Sequence, residues 1–349
     1  VGSGIDVKQV DAPVAGLESL DEDRAAVQGE IGAIENELDA LASLQELSDN
    51  LEAAKKSYER ARATNEPRGF LALAGYHARN KNPDEYATVV EEAYIAHPLH
   101  PEILNLRGRL MLSQSNFPEA IKTFKALESV DSGKGGVMLA ATWLASGEQS
   151  KAVDLAQERI KNDPTNPGGY LLMATIQQQL GQNKKAEQTL LQGISTTEDP
   201  RPLKQRLGGL YIADKRIQDA EKLFRDLHKN SPEYTPATYA LATLLDQRGY
   251  KQEAQGLYRE ILDKNENHTG AMNNLAYLYA ENNAALDEAL LLAVRAFRKE
   301  PSNPVILDTL GFVLIKNERY KEAVDILNKA SELLPDMPTV RLHQAQALI

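Results

Sequence analysis

The sequence predicts an all-α solenoid, a row of about eight antiparallel helix pairs preceded by a helical hairpin. Three observations predict it. Pro-x-x-Pro elements recur, and those at Pro301 and Pro335 lie 34 residues apart. An alanine series, Ala120, Ala152, Ala186, Ala220, Ala254, Ala289 and Ala323, advances in steps of 32 to 35 residues. A second series of small residues, Gly108, Ala140, Ala174, Gly208, Ala242, Ala276 and Gly311, runs 12 or 13 residues ahead of it. Self-similarity at a fixed period of this length is the signature of stacked supersecondary units.

Within a unit, each small residue of the earlier series is flanked by apolar residues at helical spacing, as in Leu207-Gly208-Gly209-Leu210-Tyr211 and Leu310-Gly311-Phe312-Val313-Leu314. Two small residues on facing helices let the pair approach closely, and a larger side chain would overpack the crossing by roughly 1–3 kcal/mol. Between the helices stand turn formers, Gly147, Gly181 and Gly249, placed to take the left-handed conformation that ends a helix. The prolines then have a mechanical role. The first of each Pro-x-x-Pro closes one helix, and the second enters the next near its first turn, where the missing N–H is not needed. The alternative, a polyproline ligand, requires an exposed extended stretch.

Leu207, Gly208, Tyr211, Ala220, Phe224 and Pro232 in one unit, with Leu310, Gly311, Leu314, Ala323, Leu327, Ala330 and Pro335 in another, resemble the tetratricopeptide repeat pattern. The resemblance implies a right-handed superhelix, with eight units over residues 67–337 starting near 67, 101, 133, 167, 201, 235, 269 and 304. Residues 338–349 are then the first helix of a further unit or a cap. Three departures stand out. Tyr86 occupies a place where alanine is usual, the second unit ends in "DSGKGG", which reads as a flexible turn between repeats, and the seventh carries an extra residue in "ENNAALDEA".

Residues 1–19 lack periodicity and are expected to form a flexible arm. Over residues 20–66 an acidic helical hairpin is expected, its stripe set by Val27, Ile31, Ile34, Leu38, Leu41 and Leu44. It reads as a degenerate repeat capping the exposed end of the array, or else as a coiled-coil or docking helix through which the chain oligomerises. The chain's net charge of −11 is concentrated here, for residues 1–66 carry 15 acidic and 6 basic residues, which leaves −2 for residues 67–349. No basic stripe with interleaved aromatics suggests a nucleic-acid partner. No apolar run approaches the ~20 residues of a membrane span. The start at Val1 reads as a scar or a processed end, and the finish one helix into a unit reads as truncation or a capping helix.

With no cysteine, thiol catalysis, disulfides and cysteine-ligated metals are excluded. The six histidines show no ligand spacing backed by a carboxylate, and no nucleophile stands with a base. No enzyme activity, metal or cofactor is therefore expected. What remains is binding on the inner face of the superhelix, which the first helix of each unit lines. Carried over from the family's contact positions, the candidate residues are Asn105, Arg109, Leu171, Thr175, Gln205, Tyr239, Thr243, Asn273, Tyr277, Asp308 and Phe312. The run of lysines, asparagines and arginine with which the family's chaperone-tail clamp holds a terminal carboxylate is absent from these positions. The set suggests amides and hydroxyls for a peptide backbone and Tyr239, Tyr277 and Phe312 as aromatic anchors, or as packing between units. The expectation is a scaffold for a protein or peptide partner. The units resemble those of bacterial proteins, including lipoproteins of exopolysaccharide and exosortase systems, which favours the bacterial envelope or periplasm over the cytoplasm. The alternatives are the repeat region of a polysaccharide exporter that docks a glycan-modifying enzyme, and direct glycan binding.

Overall fold

The computed structural model describes residues 32, 37, 38, 41, 42, 45 and 50–348. Eighteen helices and no strand are found among residues 50–348. The arm expected over residues 1–19 lies outside the described residues, as does most of the acidic helix and with it the expected oligomerisation surface. Of that helix, Leu38 and Ala42 are buried, and Gln45 Oε1 accepts a 2.8 Å hydrogen bond from Ser57 Oγ.

The chain divides into two compact units, residues 1–155 and 156–349. The first holds α1 (Leu51–Arg62), α2 (Pro67–Arg79), α3 (Pro83–Ala96), α4 (Pro101–Ser113), α5 (Phe117–Val130) and α6 (Ser132–Ala145). Helix α7 (Gln149–Asn162) carries the chain across the division. The second holds α8 (Pro167–Gln179), α9 (Asn183–Thr196), α10 (Arg201–Ala213), α11 (Ile217–Asn230), α12 (Thr235–Gln247) and α13 (Lys251–Lys264). It continues with α14 (Thr269–Glu281), α15 (Leu286–Lys299), α16 (Pro304–Lys316), α17 (Tyr320–Leu333) and α18 (Pro338–Ala347). In the second unit, first helices of 13 residues alternate with second helices of 14, apart from the ten-residue α18.

Local sequence sets these ends. Pro101, Pro167, Pro304 and Pro338 are first residues of their helices, where a fixed φ suits the turn. Asn166 and Asn303 cap α8 and α16, accepting from Gly168 N at 2.8 Å and Val305 N at 3.1 Å. Gly147, Gly181 and Gly249 take φ of 83°, 70° and 84° in the turns inside pairs. In other pairs the left-handed turn residue is Lys81, Ser115, Lys215 or Glu318. The extra residue of the seventh unit lengthens the turn between α14 and α15, where Asn283 and Ala285 both take positive φ.

"DSGKGG" is a correction to the sequence reading, for it is helical and not a turn. Asp131 alone joins α5 to α6, and its Oδ1 caps α6 by accepting from Lys134 N at 2.9 Å. Gly135 makes this tight joint feasible, because any Cβ there would collide with the backbone of Glu128.

The small residues sit at the crossings. The seven alanines of the later series are fully buried. A Cβ at Gly208 would have three ring carbons of Phe224 within 3.1 Å, and one at Gly311 would have three carbons of Leu327 within 3.1 Å. Within the second unit every helix packs on its neighbours in sequence. First helices also touch one another, α8 with α10, α10 with α12, α14 with α16 and α16 with α18, while second helices make no comparable contact among themselves. The first helices therefore line the tighter side of this stack.

Candidate functional site

The first-helix face is built by one rule of helix geometry. Residues spaced four, three and four apart form a stripe, and in the first helices that stripe meets the preceding first helix. The candidate residues fall on or beside it, at different depths. In the first unit, Asn105 of α4 is buried with its Oδ1 unpaired, and Arg109 is exposed. In the second unit Leu171, Thr175, Gln205, Tyr239, Thr243 and Tyr277 are half-buried, whereas Asn273, Asp308 and Phe312 are buried.

Three groups emerge in the second unit. Between α8 and α10, Thr175 Oγ1 donates to Leu171 O at 2.8 Å and receives Arg206 Nη2 at 3.4 Å. Close by in sequence, Gln205 Oε1 accepts from Tyr234 Oη at 2.8 Å.

Between α12 and α14, Asn274 Nδ2 donates to Tyr258 Oη at 3.0 Å and to Tyr239 Oη at 3.3 Å. Tyr258 Oη in turn donates to Thr243 Oγ1 at 3.3 Å, and Asn273 Nδ2 donates to Asn274 Oδ1 at 3.2 Å. Tyr239 also lies 5.0 Å from the His268 ring and 6.0 Å from the Tyr258 ring. Burial pushes the Tyr258 hydroxyl up to about 12.

At the end of the stack, His343 of α18 stacks on Phe312 at 4.5 Å between centroids, and its Nδ1 is 2.7 Å from Asp308 Oδ1. Tyr277 packs against the other neighbour of this group, 5.1 Å from Phe312. Asp308 and Phe312 are therefore enclosed by α18, and of the three aromatic candidates Tyr239 and Tyr277 keep exposed surface.

Residues outside the candidate set hold these groups together. Arg206, Asn274 and His343 occupy the same position of alternate first helices, α10, α14 and α18, and each reaches back to the preceding first helix, to Thr175, Tyr239 and Asp308 respectively. The signal was present in the sequence as the member of the stripe four residues after the second helical position. Among the described residues, no group of three or more histidine, aspartate or glutamate side chains is placed to hold a metal ion. No described helix is long and apolar enough to cross a membrane.

Comparison with known proteins agrees with this architecture. A tetratricopeptide repeat family model matches residues 82–134. The chain is 25% identical over 234 residues to tetratricopeptide repeat protein 21B of Xenopus laevis, covering 65% of this chain and 16% of that protein. It is 25% identical over 108 residues to TPR repeat-containing protein PA4667 of Pseudomonas aeruginosa, covering 31% of this chain and 18% of that one. The chain thus spans less than a fifth of the length of these relatives. Among solved structures, Pseudomonas aeruginosa pilF aligns with a TM-score of 0.50 at 16% identity, over 62% of this chain and 97% of that one. YrrB, described as a TPR protein with an unusual peptide-binding site, aligns with a TM-score of 0.42 at 18% identity, over 54% of this chain and 97% of that one.

Repeating helix pairs with small residues recurring at their crossings define an α-solenoid. The tetratricopeptide repeat model matches residues 82–134, and over 65% of its length the chain is similar to a tetratricopeptide repeat protein.

Proposed function

We propose that this chain is a non-catalytic scaffold whose second unit binds an extended segment of a partner protein along its first helices. The observation that carries the reading is the half-buried row of Thr175, Gln205, Tyr239, Thr243 and Tyr277, spread over four successive first helices of one unit. Side chains at this depth keep surface for a ligand while their backbones are fixed by the stack, so little ordering is required on binding. Hydroxyls and amides suit a peptide backbone, and the two tyrosines supply anchors with few rotors. Asp308 and Phe312 support the row from beneath α18. Within this reading we place the partner in a bacterial envelope or secretion assembly, following the likeness of the units in residues 269–334 to bacterial repeats.

Affinity capture from the native cell with wild type and a Tyr239→Ala, Tyr277→Ala double variant tests the proposal. The expected result is a protein captured by wild type and lost by the variant, with circular dichroism unchanged. Equal capture by both would remove the two anchors from the site. Enrichment with envelope fractions checks the placement.

A further inference from the structure

Several arginines of the second unit are answered by carboxylates. Arg201 meets Asp199 at 2.7 Å and Glu233 at 2.8 Å, Arg216 meets Glu187 at 2.9 Å, and Arg225 meets Glu221 at 2.8 Å. Arg206 meets none. Its guanidinium carries five N–H groups, and the single contact it makes is the long 3.4 Å bond to Thr175 Oγ1, while Nε is buried without a partner. Burial alone pushes its pKa down, with no acid opposing the shift.

A half-buried cation lacking a counter-charge costs stability, and a role in tying α10 to α8 does not require one, for Asn274 makes the equivalent tie without charge. The surroundings are donors. Gln205 Oε1 is occupied by Tyr234, which turns the amide N–H groups away from it and leaves them free to donate. On the stripe shared with Arg206, the next member is exposed Gly209, where a Cβ would meet nothing within 4 Å. Open space therefore lies one position further along the stripe from Arg206. Charge agrees with this, because on α8, α10 and α12 Arg201 is answered by Asp199 and Glu233 and Asp246 is held by Lys251 at 2.8 Å, which leaves Lys204 and Arg206 as the charges without an ion pair, in a chain of net charge −11.

We infer that Arg206, with the Gln205 amide beside it, is a carboxylate-binding point, so that the partner segment carries an aspartate or glutamate side chain seated over α10. The inference rests on the peptide-binding reading above and names the chemistry of its ligand. A guanidinium fork with an adjacent amide donor matches two carboxylate oxygens. The bare position at Gly209 gives an extended chain room to bring that group down.

The test uses random twelve-residue peptides displayed on phage, selected on the full chain, with the enriched peptide then synthesised in its acidic form and with glutamine or asparagine in place of the acid. The expected result is an acid at one fixed place in the selected peptides. Replacing it weakens binding to wild type about tenfold or more and changes binding to Arg206→Gln little, since the charge-assisted bond is already absent there. The melting temperature of Arg206→Gln stays at the wild-type value or rises. Selected peptides without an acid overturn the inference and leave the scaffold reading standing. So does equal loss on both proteins, a binding acid that proves to be the C-terminal carboxylate by its loss on amidation, or a marked fall in the variant's melting temperature, which would assign Arg206 to structure. Failure to enrich any peptide overturns the scaffold reading and this inference with it.

Discussion

Gly208 and Gly209 are neighbours in the middle of α10, and substituting each by alanine is expected to change stability differently. The helix-propensity gain is common to both, about 1 kcal/mol for glycine to alanine in a helix interior. The surroundings differ. At Gly208 a methyl carbon would have three ring carbons of Phe224 within 3.1 Å, well inside the 3.5–4.0 Å of a carbon contact, and Phe224 is only 2% exposed, with little room to withdraw. Overpacking of this kind costs about 1–3 kcal/mol. At Gly209 a methyl carbon meets nothing within 4 Å. Gly209→Ala is therefore expected to stabilise by about 1 kcal/mol, and Gly208→Ala to lie below it by about 1–3 kcal/mol. Reversible urea unfolding followed by circular dichroism measures both, and the comparison cancels propensity. Equal shifts in the two variants would refute the close crossing of α10 and α11 as the reason for the small-residue series.

Other expectations follow from the turns, the C-terminal group and the tyrosine network. Lys215 and Glu318 hold φ of 61° and 59° in turns where other pairs use glycine. Replacing either with glycine removes a left-handed cost of about 1–2 kcal/mol against a chain-entropy loss of about 0.5–1 kcal/mol, so thermal melts should rise for each. Phe312→Ala, enclosed by Tyr277 and His343, is expected to cost about 3–5 kcal/mol by cavity formation, and a melting temperature equal to wild type would show that α18 does not cover it. Tyr258, pushed up to about 12, keeps its proton in the folded chain while an unfolded tyrosine loses it near 10. The unfolded state then binds fewer protons, so this group's contribution falls as pH rises from about 10 towards 12. Tyrosinate absorbance of wild type against Tyr258→Phe should show a late-titrating group missing from the variant.

The fold was legible because small residues and prolines repeat in phase over many units, and a repeated constraint survives departures in any one of them. Gly208 and Gly311 were readable as crossings from spacing alone. Depth was not. Phe312 shares its helical stripe with solvent-facing residues in other units, and what encloses it is His343, contributed by the next first helix. Arg206 was missed for a related reason, since the family's contact positions omit its place on the stripe, and the reach to Thr175 shows what that place does. The glycines of "DSGKGG" read as a breaker because local propensity favours a turn there. The backbone of Glu128 against Gly135 makes the same residues the condition for a one-residue joint.

The turn between α14 and α15 holds one residue more than the other turns within pairs of the second unit, yet the helices on either side keep 13 and 14 residues and still pack on each other. Chain length and helix register are thus decoupled at the tip of a pair. A short epitope or a fluorophore-bearing loop introduced between Asn282 and Ala285 should leave the stack's spacing intact, and it would report on the array from a point remote from the crossings that set its pitch.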